Sequence, residues 1–93
     1  MAKYVILFDW TEQGIRNYRD SPGRVDAARG ELGKLGIAIE HIYWTLGPHD
    51  VVGVIDAPDD ETLTKALLAL GAQGNVRTTT MRAFDQEEFS GLL

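Results

Sequence analysis

The sequence predicts an α+β fold in which a four-stranded antiparallel sheet carries two helices on one face. Three observations lead to this prediction. Runs rich in β-branched and aromatic residues alternate with helix-forming runs in the order βαββαβ. The chain has 93 residues, of which 44% are hydrophobic, as expected for one globular domain spanning residues 1–93. Strands one and three are apolar on both sides, which indicates that both faces of the sheet are covered.

The first strand and the first helices follow from local sequence. Residues 3–9 are β-forming types and predict strand one. Thr11 is expected to cap a short helical turn. Ser21 and Pro22 then predict a longer helix, with the serine hydroxyl as its cap, that ends at Gly36. Its apolar stripe consists of Val25, Ala28, Leu32 and Leu35.

The second half of the chain predicts a hairpin, a helix and a last strand. Residues 37–46 and 51–56 predict strands two and three, joined by turn chemistry at residues 47–50. Asp59 is expected to cap the next helix, and residues 76–84 predict strand four, followed by a tail of about one helical turn. The apolar stripe of that helix is Leu63, Ala66, Leu67 and Leu70. This order is ferredoxin-like and places both long helices on one face of the sheet.

The other face of the sheet predicts self-association. Val5 and Leu7 lie on one side of strand one, opposite an equally apolar set on the other side. Leaving four or five such side chains in water costs about 2 kcal/mol each, a sum comparable to the roughly 5–15 kcal/mol that stabilise a small domain. A second copy of the chain, packed sheet against sheet, would form a homodimer or a higher even oligomer. The alternative is a monomer in which Tyr4, Val52 and Val54 are partly exposed.

Composition excludes several classes of function. The net charge is −5, and the basic residues are interleaved with acidic ones, which argues against binding of nucleic acid. The chain has no cysteine, so disulfides, thiolate chemistry and Cys-ligated metals are excluded. The apolar start is too short for a signal peptide or a membrane span. We therefore expect a cytoplasmic protein that does not bind membranes.

Several blocks of sequence together resemble one known family. The matching blocks are Trp10-Thr11-Glu12-Gln13-Gly14 with Arg16, Pro22 with Arg24, Tyr43 with Thr45, Gly47-Pro48-His49-Asp50, Ala57-Pro58-Asp59-Asp60-Glu61, Val76-Arg77-Thr78-Thr79-Thr80 and Arg82-Ala83-Phe84. They resemble the GYD-domain proteins of the dimeric α+β barrel superfamily. His49 stands where the name-giving Gly-x-Tyr-Asp motif has tyrosine, so only a role that needs a ring or a hydrogen bond could persist there.

The resemblance implies the same fold and a dimeric barrel, but no particular reaction. The superfamily includes cofactor-free monooxygenases, small-lactone isomerases, haem-using enzymes and proteins without known chemistry. Choosing among these reactions from the fold would be an analogy alone.

His41 and Tyr43 are the candidates for catalysis. His41 is predicted to share a strand face with Ile39 and Tyr43, so an apolar cavity could make it a general base. The alternative is a histidine with a structural role. His41 and His49, the only histidines, lie too far apart along the hairpin to share a metal ion in one subunit. No metal and no other cofactor is expected.

Aromatic and acidic residues supply further candidates for a ligand pocket. Trp10 and Trp44 could line a flat aromatic pocket, or could serve as core or interface residues. Tyr43 and Trp44 point to opposite sides of strand two, so only one of them belongs to a given cavity. His49 and Asp50 could form a pair in which the carboxylate orients the ring. Alternatively, Asp50 completes the turn and His49 faces solvent.

Arg77 and Arg82 differ in parity and are predicted to lie on opposite faces of strand four. An arginine that faces a closed barrel would need a partner such as Asp9, Asp56 or an anionic ligand, so either a structural ion pair or ligand binding is expected.

Three function hypotheses remain open. The first is a cavity between sheet and helices that binds a small organic molecule, with cofactor-free proton transfer or oxygenation. The second is a non-catalytic regulatory or scaffold homo-oligomer. Amino-acid sensing with ligands at the subunit edge is a third.

Overall fold

The structure, a computed structural model, describes all 93 residues. Four strands and four α-helices follow one another along the chain, with a short 3₁₀ turn over Tyr18–Asp20. They are β1 (Ala2–Trp10), α1 (Glu12–Arg16), α2 (Ser21–Lys34), β2 (Ala38–Trp44), β3 (Val51–Ala57), α3 (Asp60–Ala72), β4 (Val76–Ala83) and α4 (Gln86–Leu92). The predicted βαββαβ order is confirmed, with α1 and α4 as short additions. None of the helices is long and apolar enough to cross a membrane.

The four strands form one antiparallel sheet in the order β2-β3-β1-β4. β1 lies at the centre and pairs with both β3 and β4, so that Tyr4 is opposite Ile55 on one side and Arg82 on the other. β2 and β3 form the predicted hairpin. The predicted ferredoxin-like α+β fold is therefore confirmed.

The core lies between the sheet and the two long helices. Its buried side chains come mainly from one face of the central strands, and α2 and α3 both pack on that face. They are Tyr4, Ile6, Phe8, Ile37, Val51, Ile55, Ala57 and Leu63. Only 11 of the 93 residues are buried. The apolar side chains on the other face of the sheet, Val5, Leu7, Val52 and Val54, are only partly buried.

Two predicted helix caps are confirmed and one is wrong. Thr11 Oγ1 accepts a hydrogen bond from Gly14 N, and Asp59 Oδ1 accepts one from Thr62 N at 2.7 Å. Ser21, in contrast, is the first residue of α2 and does not cap it. The preceding 3₁₀ turn leads directly into the helix, so the chain lacks the extended residue that a serine cap requires.

An irregularity in β2 changes which side chains share a face. The register shifts between Ile39 and His41, so Ile39 lies opposite Ile55 on the helix side while His41 lies opposite Val54 on the other side. The prediction that Ile39 and His41 share a face is therefore wrong. One extra residue in a strand moves every later side chain to the opposite face.

The C-terminal tail is longer than the predicted single turn. Asp85 caps α4 by accepting from Glu88 N at 2.7 Å, and the Glu88 carboxylate accepts from Asp85 N. This reciprocal arrangement is a capping box, which stabilises the first turn of a helix. The Asp-x-x-Glu spacing is visible in the sequence.

Candidate functional site

The sheet carries no helix on its second face, which we call the open face. The strand registers place two rows of side chains at its centre. They are Tyr43, Val52, Leu7 and Thr79 in one row and His41, Val54, Val5 and Met81 in the next. The four aliphatic residues from β1 and β3 are only half-buried in the single chain.

Charged residues lie at both ends of the open face. At one end Lys3 Nζ contacts Asp56 Oδ1 at 3.2 Å and also bonds Glu40. The hydrogen bonds to Glu40 and Asp56 raise the pKa of Lys3 above its usual value. At the other end Asp9 lies opposite Arg77 in the register of β1 and β4. The open face thus has an apolar centre between two polar borders.

The two candidates for catalysis lie on this open face. The rings of His41 and Tyr43 are stacked, with centroids 6.1 Å apart and planes 12° apart. Both side chains are exposed in the single chain, and Tyr43 is 58% exposed. The prediction that they belong to a cavity between sheet and helices is wrong, because the shift after Ile39 turns them away from the helices. Within one chain they have no enclosed site around them.

The helix-covered face of the sheet carries an apolar cleft between α2 and α3, which we call the interhelical cleft. Its volume is about 620 Å³, and 17 of its 23 lining residues are hydrophobic. Its floor is the sheet, and its walls are the apolar stripes predicted for the two helices. Prominent lining residues are Phe8, Trp10, Val25, Leu32, Ala66 and Leu70. The predicted cavity between sheet and helices therefore exists in this place.

Only one of the two tryptophans lines this cleft. Trp10 lies on its floor, whereas Trp44 is 44% exposed and bonds α2 through Nε1, which donates to Ser21 Oγ at 3.0 Å. The predicted aromatic pocket shared by Trp10 and Trp44 is therefore wrong. Trp44 instead ties the edge strand β2 to the start of α2.

Arg24 is a polar residue of the cleft to which sequence reasoning gave no role. Its Nη1 donates to the carbonyl of Asn17 at 3.2 Å, while its Nη2 is buried and has no hydrogen-bond partner. In the sequence analysis, Arg24 appears only in one of the blocks that resemble the GYD-domain proteins. Arg24 directly precedes Val25, the first apolar residue of the α2 stripe. This position in the sequence could have predicted that Arg24 lies beside the cleft.

His49 and Asp50, in the hairpin turn, form hydrogen bonds with two different residues of β1. His49 Nδ1 lies 3.0 Å from Asp9 Oδ1, and Asp50 Oδ2 accepts a hydrogen bond from Trp10 N at 2.8 Å. The predicted His49–Asp50 pair is therefore wrong. Of the alternative, the Asp50 backbone does complete the turn, since its carbonyl accepts from Thr45 N at 2.9 Å, but His49 bonds Asp9 and does not simply face solvent. Both side chains fasten the hairpin to the end of β1. A ring and a hydrogen bond are thus retained at the family's tyrosine position.

Arg77 and Arg82 lie on opposite faces, as predicted from their parity. Arg82 Nη1 donates to the carbonyl of Lys3 at 3.0 Å, and its guanidinium stacks 4.5 Å from the ring centroid of Phe84. The expected acidic partner is absent, because β4 lies at the sheet edge and Arg82 remains exposed. Arg82 also lines an open cavity of about 420 Å³ beside Tyr4 and α3, so it stays a candidate for a ligand pocket.

Comparison with known proteins agrees with this architecture. The GYD domain family matches residues 4–93. The glutamine synthetase and cystathionine beta-lyase binding protein of Thermus thermophilus is 32% identical over 84 residues, covering 89% of this chain and 88% of that protein.

Two solved structures share the fold. MtbAldR (Rv2779c) superposes with a TM-score of 0.63 at 15% sequence identity. The superposition covers 91% of this chain and 52% of the MtbAldR chain, so this chain spans about half the length of MtbAldR. TTHA0845 of Thermus thermophilus superposes with a TM-score of 0.55 at 24% identity, covering 90% and 94% of the two chains. At these identities the likeness concerns the fold alone. The family match, which spans nearly the whole chain, places this protein in the GYD domain family.

Proposed function

We propose that the protein is a cytoplasmic homodimer that binds a small organic ligand in each interhelical cleft. The observation that carries this proposal is the cleft itself. Its volume of about 620 Å³ falls within the range of about 300–1,000 Å³ that is usual for small-molecule sites, and its lining is mainly apolar. The cleft lies on the opposite side of the sheet from the open face, so ligand binding and dimerisation do not compete.

The lining of the cleft favours binding over catalysis. It contains no histidine and no tyrosine, and its ionisable side chains are Arg24, Glu31 and Lys34. Glu31 and Lys34 are exposed and pair with each other at 3.3 Å. An arginine stays protonated and is a poor general base, and Glu31 and Lys34 lie in water at the rim, so the cleft holds no buried group suited to proton transfer. We therefore assign it no reaction.

A neutral fluorescent probe tests the cleft directly. N-phenyl-1-naphthylamine should bind the wild-type protein with one site per chain and gain fluorescence. Ala66→Phe fills the cleft wall on α3 and should abolish this signal, whereas Ala72→Phe on the same helix lies outside the cleft and should preserve it. Thermal melts confirm that both variants are folded. Equal probe binding by the two variants would contradict the proposal.

Association with a metabolic enzyme is a second candidate function. The observation that favours it is the Thermus thermophilus relative, whose name describes binding to glutamine synthetase and cystathionine beta-lyase and which matches this chain almost end to end. In this interpretation the protein is a non-catalytic regulatory module. Surface plasmon resonance with the purified glutamine synthetase and cystathionine beta-lyase of the source organism tests it. Absence of binding to both enzymes at micromolar concentration would contradict it.

A further inference from the structure

We infer that the interhelical cleft selects amphipathic carboxylic acids, with the ligand's carboxylate on Arg24 and its apolar body between α2, α3 and the sheet. This inference rests on the proposed function of the cleft as a ligand site. It adds the chemical class of the ligand and the residue that recognises it.

The first argument is the unsatisfied guanidinium of Arg24. The group carries five N–H donors and a permanent positive charge. One nitrogen, Nη1, is bonded to the Asn17 carbonyl, but Nη2 is buried and unpaired. Burial of a donor without a partner is unfavourable, and more so for a charged group. Because Nη2 is not accessible to solvent, the guanidinium has to turn towards the cleft before a bound acceptor can reach it, and that hydrogen bond would remove the cost.

The second argument is that no acidic side chain of the protein neutralises Arg24. The ion pairs of the chain involve other basic residues, namely Lys3, Arg16 and Lys34, and the carboxylate of Asp9 bonds His49. Glu31, the acidic residue that lines the cleft, pairs with Lys34. Arg24 therefore keeps an uncompensated charge beside the apolar space, and an anionic ligand would compensate it.

The third argument is the contrast between this charge and the rest of the cleft. Most of the lining residues are hydrophobic, so the greater part of a ligand must be apolar. A carboxylate matches the planar fork of a guanidinium, because its two oxygens accept two parallel hydrogen bonds. A ligand with one anionic end and an apolar body therefore fits both the charge of Arg24 and the apolar lining of the cleft.

Displacement of N-phenyl-1-naphthylamine from the full-length protein tests the inference. The competitors are decanoate and 1-decanol, at neutral pH and below the concentrations at which they aggregate. Arg24→Gln should weaken decanoate binding by about 10-fold or more, since a hydrogen bond to a charged group is lost, and should leave 1-decanol binding unchanged. Arg19→Gln is the control, because Arg19 is exposed, lies over the ring of Tyr18 and does not line the cleft.

The outcomes separate this inference from the proposed function. If the probe fails to bind the wild-type protein, the cleft is not a ligand site and both proposals fall. If the probe binds but decanoate does not displace it, or if Arg24→Gln leaves decanoate affinity unchanged, only the carboxylate assignment is overturned.

A measurement on the wild-type protein covers the case in which Arg24→Gln does not fold. The carboxyl resonance of carboxyl-¹³C decanoate is followed as a function of pH in the free and the bound state. A guanidinium beside the carboxyl group favours its ionised form, so the bound acid should titrate at lower pH than the free acid. Titration at the same or a higher pH would overturn the inference.

Discussion

Gly14 lies where the first turn of α1 meets the turn between α3 and β4. A Cβ atom at this position would lie 1.9 Å from the carbonyl oxygen of Asn75, which also accepts a hydrogen bond from Thr11 N at 3.1 Å. Any side chain must therefore push the two segments apart. We expect Gly14→Ala to lower the free energy of unfolding by about 1–3 kcal/mol, as overpacking does elsewhere. Urea denaturation measures the change.

Gly30 is the matched control for this substitution. It lies within α2, and a Cβ atom there would have no neighbour within 4 Å. Gly30→Ala should raise the free energy of unfolding by about 0.5–1 kcal/mol, because alanine lowers the conformational entropy of the unfolded chain. Similar effects of the two substitutions would contradict the close approach of α1 to Asn75.

Tyr4 gives the protein a pH dependence in the alkaline range. Its hydroxyl donates a hydrogen bond to Asp60, and this bond, followed by burial, raises the pKa of Tyr4 from 10.0 to about 12. The folded state therefore holds the proton more tightly than the unfolded chain. The stabilisation is fully present below pH 10 and is lost as the pH rises towards 12.

We expect Tyr4→Phe to remove this pH dependence. The variant should unfold with a free energy lower by about 1–2 kcal/mol at neutral pH, because it lacks the hydrogen bond to a charged acceptor. Its stability should fall less steeply than that of the wild type between pH 10 and 12. Tyr18→Phe, at an exposed position, should keep the wild-type slope. Urea titrations across the alkaline range measure both slopes, and identical slopes for all three proteins would refute the assignment.

At the scale of elements, local sequence predicts what depends on local chemistry. The Asp59 cap and the apolar stripes of α2 and α3 follow from residues a few positions apart. The cap and the α3 stripe are confirmed, and the α2 stripe lines the cleft as one face, although Leu35 at its end is exposed. The orientation of His41 depends instead on how β2 aligns with β3, and a one-residue shift in that register is not visible in either strand alone. Ser21 was misassigned for a similar reason, because its hydroxyl is used by Trp44, 23 residues away.

The Ser21–Trp44 hydrogen bond attaches β2 to α2, and a double-mutant cycle measures its contribution. If the bond is the main role of Ser21, Ser21→Ala and Trp44→Phe should be non-additive, with a coupling energy of about 0.5–1.5 kcal/mol. If Ser21 capped α2, its replacement would have the same effect with or without the indole. Additive effects in urea denaturation would therefore favour the cap.

At the scale of the whole molecule, the fold was predictable because pattern, caps and turns all indicate the same topology. The candidate site was predictable only in part. Apolar stripes indicate which residues line the space between helices and sheet, but the gap between α2 and α3 depends on tertiary packing. The unpaired Nη2 of Arg24 likewise depends on the position of the Asn17 carbonyl and on the absence of a nearby carboxylate. Neither property is encoded in a local motif.

Self-association through the open face is the prediction that concerns the assembly. An apolar centre with polar borders is the usual composition of a protein interface, and the open face has this arrangement. Leu7→Lys places a charge at its centre, which should raise the dimer dissociation constant by about 30-fold or more if about 2 kcal/mol of burial is lost. Sedimentation velocity over a concentration series measures the shift.

Leu68→Lys separates this effect from a general effect of added charge. Leu68 is 69% exposed on α3, on the helix side of the sheet, so its replacement should leave the dissociation constant unchanged. If both substitutions raise the dimer dissociation constant equally, the interface does not lie on the open face. A wild-type protein that sediments as a monomer at micromolar concentration would show that the half-buried Val5, Leu7, Val52 and Val54 face water, and that the rest of the core compensates for their exposure.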